Sequence, residues 1–167
     1  MKKGIALSFS FIFAMILIVF ILGVGGYLVM KVYKAGHEVD VARFRNDLER
    51  DFRTVSRMSG GSALPYEYVL PKGVDEVCFV EFVKLRGCDV SGVSGESLRL
   101  RIRSYCEAGG GNKNVFFGVK SGYGAVEALR LQGLRVEDGV VCFRGVQGKI
   151  RVVFRNENGY VYVEKPR

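Results

Sequence analysis

The chain opens with MKKGIALSFSFIFAMILIVFILGVGGYLVM, residues 1–30. Two lysines stand before a run of 27 residues, Gly4 to Met30, that carries no charge. As a helix at about 1.5 Å per residue this run is roughly 40 Å long, against about 30 Å of bilayer hydrocarbon. A secretory signal has a shorter apolar stretch, about 7–15 residues, closed by small residues at a cleavage site. This run leaves instead through Tyr27, Leu28, Val29, Met30 and Lys31. A buried core helix of this kind needs a far larger domain around it than 167 residues supply. Residues 5–30 are therefore expected to form a single transmembrane helix whose immediate partner is membrane lipid.

Beyond the apolar run the sequence is KVYKAGHEVDVARFRNDLERDFRTVSRMSGG. Val41, Phe44, Leu48, Phe52 and Val55 recur at steps of three and four, with Met58 after them, which is the spacing of one helical face. Glu49 precedes Arg53 by four residues, the favourable order for a helical ion pair. No proline interrupts residues 4–59, and Gly60 and Gly61 supply a stop signal. Gly23, Gly25, Gly26 and Gly36 are weak points within an otherwise unbroken helical pattern. The expectation is one long helix, apolar first and amphipathic from 31 to 60, whose stripe needs a cover.

Residues 61–167 form a β-rich head by the same reading. SLRLRIRS alternates Leu98, Leu100 and Ile102 with Arg99, Arg101 and Arg103, the pattern of a half-buried strand. GKIRVVFRNENGYVYVEK reads as a hairpin, with strands near 149–155 and 159–164 joined through Asn156, Glu157, Asn158 and Gly159. DEVCFVEFV, GVVCFRGV and NVFFGV are further β-rich runs, and YEYVL before Pro71 suits an edge strand. AVEALRLQ fits a short helix or a strand. The fold class expected is α+β: a long N-terminal helix with a small antiparallel sheet packed on Phe44, Leu48, Phe52 and Val55.

Cys78, Cys88, Cys106 and Cys142 contain no CxxC pair, and His37 is the sole histidine. That spacing argues against zinc, and an even count in a small β domain favours disulfides. Three connectivities exist. Cys78 and Cys142 each sit in a VCF run suited to a cross-strand bond, while Cys88 and Cys106 flank the SLRLRIRS segment and could close it. The alternative is that Cys78 and Cys142 are buried thiols.

The supply of catalytic groups is thin. With His37 on the stalk, a histidine-dependent triad has no member in the head. GGGNKN at 109–114 lacks the order of a phosphate loop. Asp75, Glu76 and Glu81 are acidic, but nothing in the sequence pairs them. No enzyme activity, cofactor, metal or small-molecule ligand is inferred. The formal charge of +8 leaves one further signal. Arg99, Arg101 and Arg103, extended by Arg151 and Arg155, would form a basic row able to attract nucleic acid or anionic lipid. A solvated sheet face is the commoner meaning of such a row.

A helix that is membrane-apolar and then amphipathic, carrying a β head, resembles the architecture of type IV pilins. MKKG before the run is similar to a class III (prepilin) leader, which places the candidate cleavage between Gly4 and Ile5 and makes residues 1–4 the leader. VDEVCFVEF, NVFFGV and VVCFRGVQGKIRVVFRNENGYVYV resemble segments of pilin-like, membrane-anchored archaeal proteins. Two positions depart from the pattern. Phe9 stands where bacterial pilins carry glutamate at the fifth mature residue, and Leu7 where many archaeal ones carry glutamine at the third. Lysine counts on the two flanks do not separate the topologies. The leader resemblance implies a cytoplasmic N-terminus and an extracytoplasmic head. It further implies a single-pass structural or interaction protein, pilin- or pseudopilin-like, associating through its N-terminal helix with itself or with similar subunits. The competing readings are a monomeric membrane-tethered module that binds an envelope partner, and a nucleic-acid-binding minor pilin.

Overall fold

The amphipathic stretch organises the strands that come after it. In the computed structural model, which describes residues 9–121, 123 and 126–166, helix α1 runs from Phe9 to Ser56. The glycines at 23, 25, 26 and 36 all keep helical conformation. The chain divides into two compact units at Val39 and Asp40. In the first, Phe11–Lys31 is a 21-residue segment of mean hydropathy 2.7, long and apolar enough to cross a membrane. Each of its residues is exposed. Gly4 and Ile5 lie outside the described residues.

The second unit holds the end of α1 and all the strands. Phe44, Leu48, Phe52 and Val55 are buried at the centre of its main core, with Val41 half-buried beside them. Phe44 meets the rings of Tyr68 and Phe117 edge-on at 5.8 and 5.9 Å, and Phe52 meets Phe154 at 5.7 Å. Edge-to-face geometry suits the ring quadrupoles and adds to the area buried. Tyr68 donates its hydroxyl to Asp51 at 3.2 Å. Burial, reinforced by the Asp51 charge, holds that hydroxyl far above the usual tyrosine range, so it remains a donor. On the outer face of the helix Glu49 and Arg53 form the expected pair at 3.3 Å.

Among the described residues seven strands follow: β1 (Ala63–Val69), β2 (Val74–Val80), β3 (Val115–Val119), β4 (Leu134–Arg135), β5 (Val140–Arg144), β6 (Lys149–Glu157) and β7 (Tyr160–Glu164). They form two sheets rather than the single sheet expected, one of order β1-β6-β7-β4 and one of order β3-β2-β5. All pairings are antiparallel except the short parallel contact of β4 with β7. Phe44 touches both sheets, through Tyr68 in one and Phe117 in the other. The β6–β7 hairpin turns at Asn158 and Gly159, whose φ values of 53° and 81° suit a tight two-residue turn.

Asn156 corrects the sequence reading of that turn. It lies within β6 and is buried, and its amide nitrogen donates to the carbonyls of Val55, Ser56 and Met58 at 3.1, 3.3 and 2.7 Å. The last carbonyls of a helix have no partner within it; here a strand side chain supplies one. The helix therefore stops at Ser56, before the Gly60–Gly61 signal.

A second correction concerns SLRLRIRS. The segment is not a strand but belongs to helix α2 (Glu96–Glu107). Leu98 and Ile102, four residues apart, are buried together in a second core with Phe116, Val80 and Val93, whereas Leu100 is 61% exposed. Strict alternation would have buried Leu100 as well. Of AVEALRLQ, residues 126–132 are neither helix nor strand, and they touch β3 through the bridge Val115↔Leu129. Asn114 fixes them, accepting from the Leu131 N–H and donating to the Leu131 carbonyl, both at 2.7 Å.

The two leucines give a direct check. Leu48→Ala should cost about 2–5 kcal/mol, and Leu100→Ala no more than about 0.5 kcal/mol. Chemical unfolding of the detergent-solubilised protein, followed by circular dichroism, reads both. Comparable losses would restore the strand reading of residues 97–104.

Candidate functional site

All four cysteines are paired, Cys78 with Cys142 and Cys88 with Cys106. The first bond joins neighbouring strands β2 and β5. The bonds Glu81 N–H to Gly139 and Gly145 N–H to Asp75 fix the phase of that ladder. Cys78 and Cys142 therefore fall at a position where facing residues do not exchange hydrogen bonds, and their Cα atoms lie 4.1 Å apart. The second bond ties the 3-10 turn Arg86–Cys88 to the last turn of α2. In the chain-entropy account the two cross-links contribute about 4 and about 3 kcal/mol for loops of these lengths. A carboxylate oxygen of Glu76 and the sulfurs of Cys78 and Cys142 lie within 4.8 Å of one another. Both sulfurs are consumed in the disulfide, so this trio does not offer the thiolates a metal site needs.

The basic row expected from the sequence is dispersed. On α2, Arg99 donates twice to the Val93 carbonyl and Arg101 twice to that of Val126, while Arg103 pairs with Glu107 at 3.0 Å. Two of the three guanidiniums thus close loops over the second core. On β6, Arg151 pairs with Glu67 at 2.9 Å, and Arg155 pairs with Glu164 at 2.7 Å and lies over the Tyr162 ring. The row depended on a strand that does not form, and its members split between a helix and a sheet.

Two carboxylates that sequence reasoning left unassigned are buried and held. Glu81, just past β2, accepts from the Val136 N–H at 2.8 Å, from Arg135 at 2.5 Å, and pairs with Lys84 at 3.3 Å. Arg135 in turn lies 4.3 Å from the Tyr160 ring. Burial alone would raise the Glu81 carboxyl, but these three donors outweigh it and hold it below the usual range. The group joins the two sheets, because Arg135 belongs to β4 and Tyr160 to β7. Glu76 on β2 accepts from the Ser94 hydroxyl at 3.0 Å and the Gly95 N–H at 3.4 Å, at the start of α2.

Beside Glu76 a cleft of about 840 Å³ opens between β5 and β6. Arg144, Lys149, Arg151 and Lys165 line it, with Glu67 and Glu76 as its carboxylates. Glu67 takes both Lys149, at 2.7 Å, and Arg151, at 2.9 Å. Lys149 first and Arg151 second hold the Glu67 carboxyl below its ordinary value. Arg144 and Lys165 make no ion pair among the described residues. The sequence carried no local signal for this cleft, whose cations come from β5, β6 and the residues after β7.

No protein-family model, curated protein or solved structure matches the chain.

The Glu81 network gives a pH dependence whose sign is fixed. A carboxyl with a depressed folded-state pKa stabilises fully above its unfolded value, about 4.5, and loses that contribution as pH falls through the folded value. Glu81→Gln should cost about 1–3 kcal/mol at pH 7 and narrow the gap to the parent protein at pH 3. Thermal melts at the two pH values test this; a gap that widens in acid contradicts it.

Proposed function

We propose that this is a single-pass, pilin-like membrane protein whose role is structural, through interaction with other subunits, rather than catalytic. Its N-terminal helix is held in the bilayer and its head presented outside the cytoplasm. The observation that carries this reading is the change of character along α1. Phe11–Lys31 is apolar and wholly exposed, while the turns from Asp40 onward bury their stripe under a strand-rich unit. An exposed helix of that hydropathy has no stable place in water, and lipid is the solvent that suits it. The pairing of all four cysteines supports an outward head, since disulfides persist in oxidising compartments.

On this reading MKKG is a leader removed before Ile5. The mature helix then begins with apolar residues and can pack against the helices of similar subunits. With Phe9 at the fifth mature position, such packing lacks the carboxylate that bacterial pilins use. It rests on apolar contact among helices instead.

The test is extraction of native membranes with alkaline carbonate, followed by intact mass measurement on the pelleted protein before and after reduction and alkylation. The chain is expected in the pellet, starting at Ile5, and alkylated only after reduction. Release into the supernatant would overturn the membrane assignment. A retained Met1 or Lys2 would remove the pilin-type leader and favour a monomeric tethered module that binds an envelope partner. Free thiols before reduction would contradict the outward placement of the head.

A further inference from the structure

A sheet ends in strands whose outer backbone groups have no partner, and folded proteins block such edges by specific means. The two sheets have four ends. The outer edge of β3 is taken by the bridge to Leu129. β4 is two residues long. On β1, the bonds between Asn156 and Ser62 and from Leu70 to Gly148 set the ladder phase, so even-numbered residues face β6 and odd-numbered ones face outward. Pro65 stands at the middle of that outward set, where it has no N–H to offer.

Among the described residues β5 has none of these protections. In its ladder with β2, Phe143 and Val141 fall at hydrogen-bonded positions, so the backbone groups of Val140, Cys142 and Arg144 point away from β2. They point toward the side where the cleft opens, whose lining includes Cys142 and Arg144. Across the cleft β6 is also incomplete. Val153 pairs with Glu164, so two residues further along the ladder Arg151 would face Pro166. Proline cannot donate, and β7 ends at Glu164. The tight turn at Gln147 and Gly148, with φ of 52° and 74°, starts β5 and β6 as a hairpin before they diverge into separate sheets.

We infer that this cleft is a strand-addition site: an extended, acidic segment of a partner protein pairs along β5 and fills the space beside β6. The occupant's sign follows from the lining. Four cations, Arg144, Lys149, Arg151 and Lys165, face two carboxylates. One of these, Glu76, is already bonded to Ser94 and Gly95, and the other, Glu67, is shared between Lys149 and Arg151. Backbone pairing supplies affinity in such modes, and side chains alternating along the added strand supply selectivity. Acidic side chains on one face of the added strand reach Arg144 and Lys165. The site stands apart from the membrane assignment, since each element of it lies within the second unit.

The test uses the full chain in neutral detergent micelles and a fluorescent eight-residue peptide alternating valine and glutamate. Two further peptides carry N-methyl groups on alternate amides, one set on each edge of the strand, and a fourth replaces glutamate with lysine. The expected result is saturable binding of the parent peptide, slowed hydrogen exchange at the amides of Cys142 and Arg144, and binding lost for one N-methyl set but kept for the other. Arg144→Glu with Lys165→Glu should weaken binding about tenfold or more without moving the melting temperature. Absence of binding, equal binding of both N-methyl sets, equal binding of the lysine peptide, or protection confined to other strands would each overturn the proposal. Self-association abolished by the same double charge reversal would also overturn it, by making a second copy the occupant.

Discussion

The head depends on one apolar stripe, that of Phe44, Leu48, Phe52 and Val55. Neither sheet could cover its own inner face, because each is narrow and the two part company after the turn at Gln147 and Gly148. The helix fills that shortfall, with Phe44 touching both sheets and Phe52 reaching Phe154 at the middle of β6. Asn156 then closes the helix end from the same strand. The two contacts act together: the stripe fixes which face of the helix points inward, and the amide fixes where along β6 the helix stops.

The second core is built differently. Leu98 and Ile102 come from α2, while Phe116, Val80 and Cys78 come from the outer face of the three-stranded sheet. Such a layer is thin, and it is reinforced by covalent and ionic means. Cys88–Cys106 pins α2 to the turn before it, and the Arg99 and Arg101 guanidiniums hold neighbouring carbonyls. Arginines that resemble a binding surface in the sequence are used here to satisfy backbone acceptors, which would otherwise be costly where they are shielded from water.

The long helix and its inward face were legible because period-3.6 patterning over several turns has few competing meanings. The β runs were legible from branched and aromatic residues between turn signals. Residues 98–103 were not, because Leu-Arg-Leu-Arg-Ile-Arg satisfies both periods: positions 98 and 102 share a face in a helix as well as in a strand. The arbiters were the preference of arginine and leucine for helix and the placement of Glu96 in the first turn, set against an alternation only three repeats long. The split into two sheets was hidden because it depends on where β6 exchanges one neighbour for another. That choice is made by residues 60 or more positions apart in sequence, β1 and β2 against β6 and β5. The cleft was hidden for the same reason. Its walls are strand edges, and an edge is a property of pairing rather than of any one residue.

The cross-strand bond also sets where the chain can be cut. Cys78 and Cys142 close a covalent ring that contains α2, β3 and β4. A protease that nicks the backbone anywhere between those two cysteines leaves both pieces on one molecule. Separation of the apolar helix from the bulk of the head therefore requires scission before Cys78, in the short stretch that holds the end of α1, β1 and the turn into β2. Most of that stretch is exposed or half-buried, but a cut in it severs the helix that carries the buried stripe from the strands it covers. Release of the second unit with its fold intact is accordingly restricted to a cut before the buried stripe, near the junction of the two units at Val39 and Asp40.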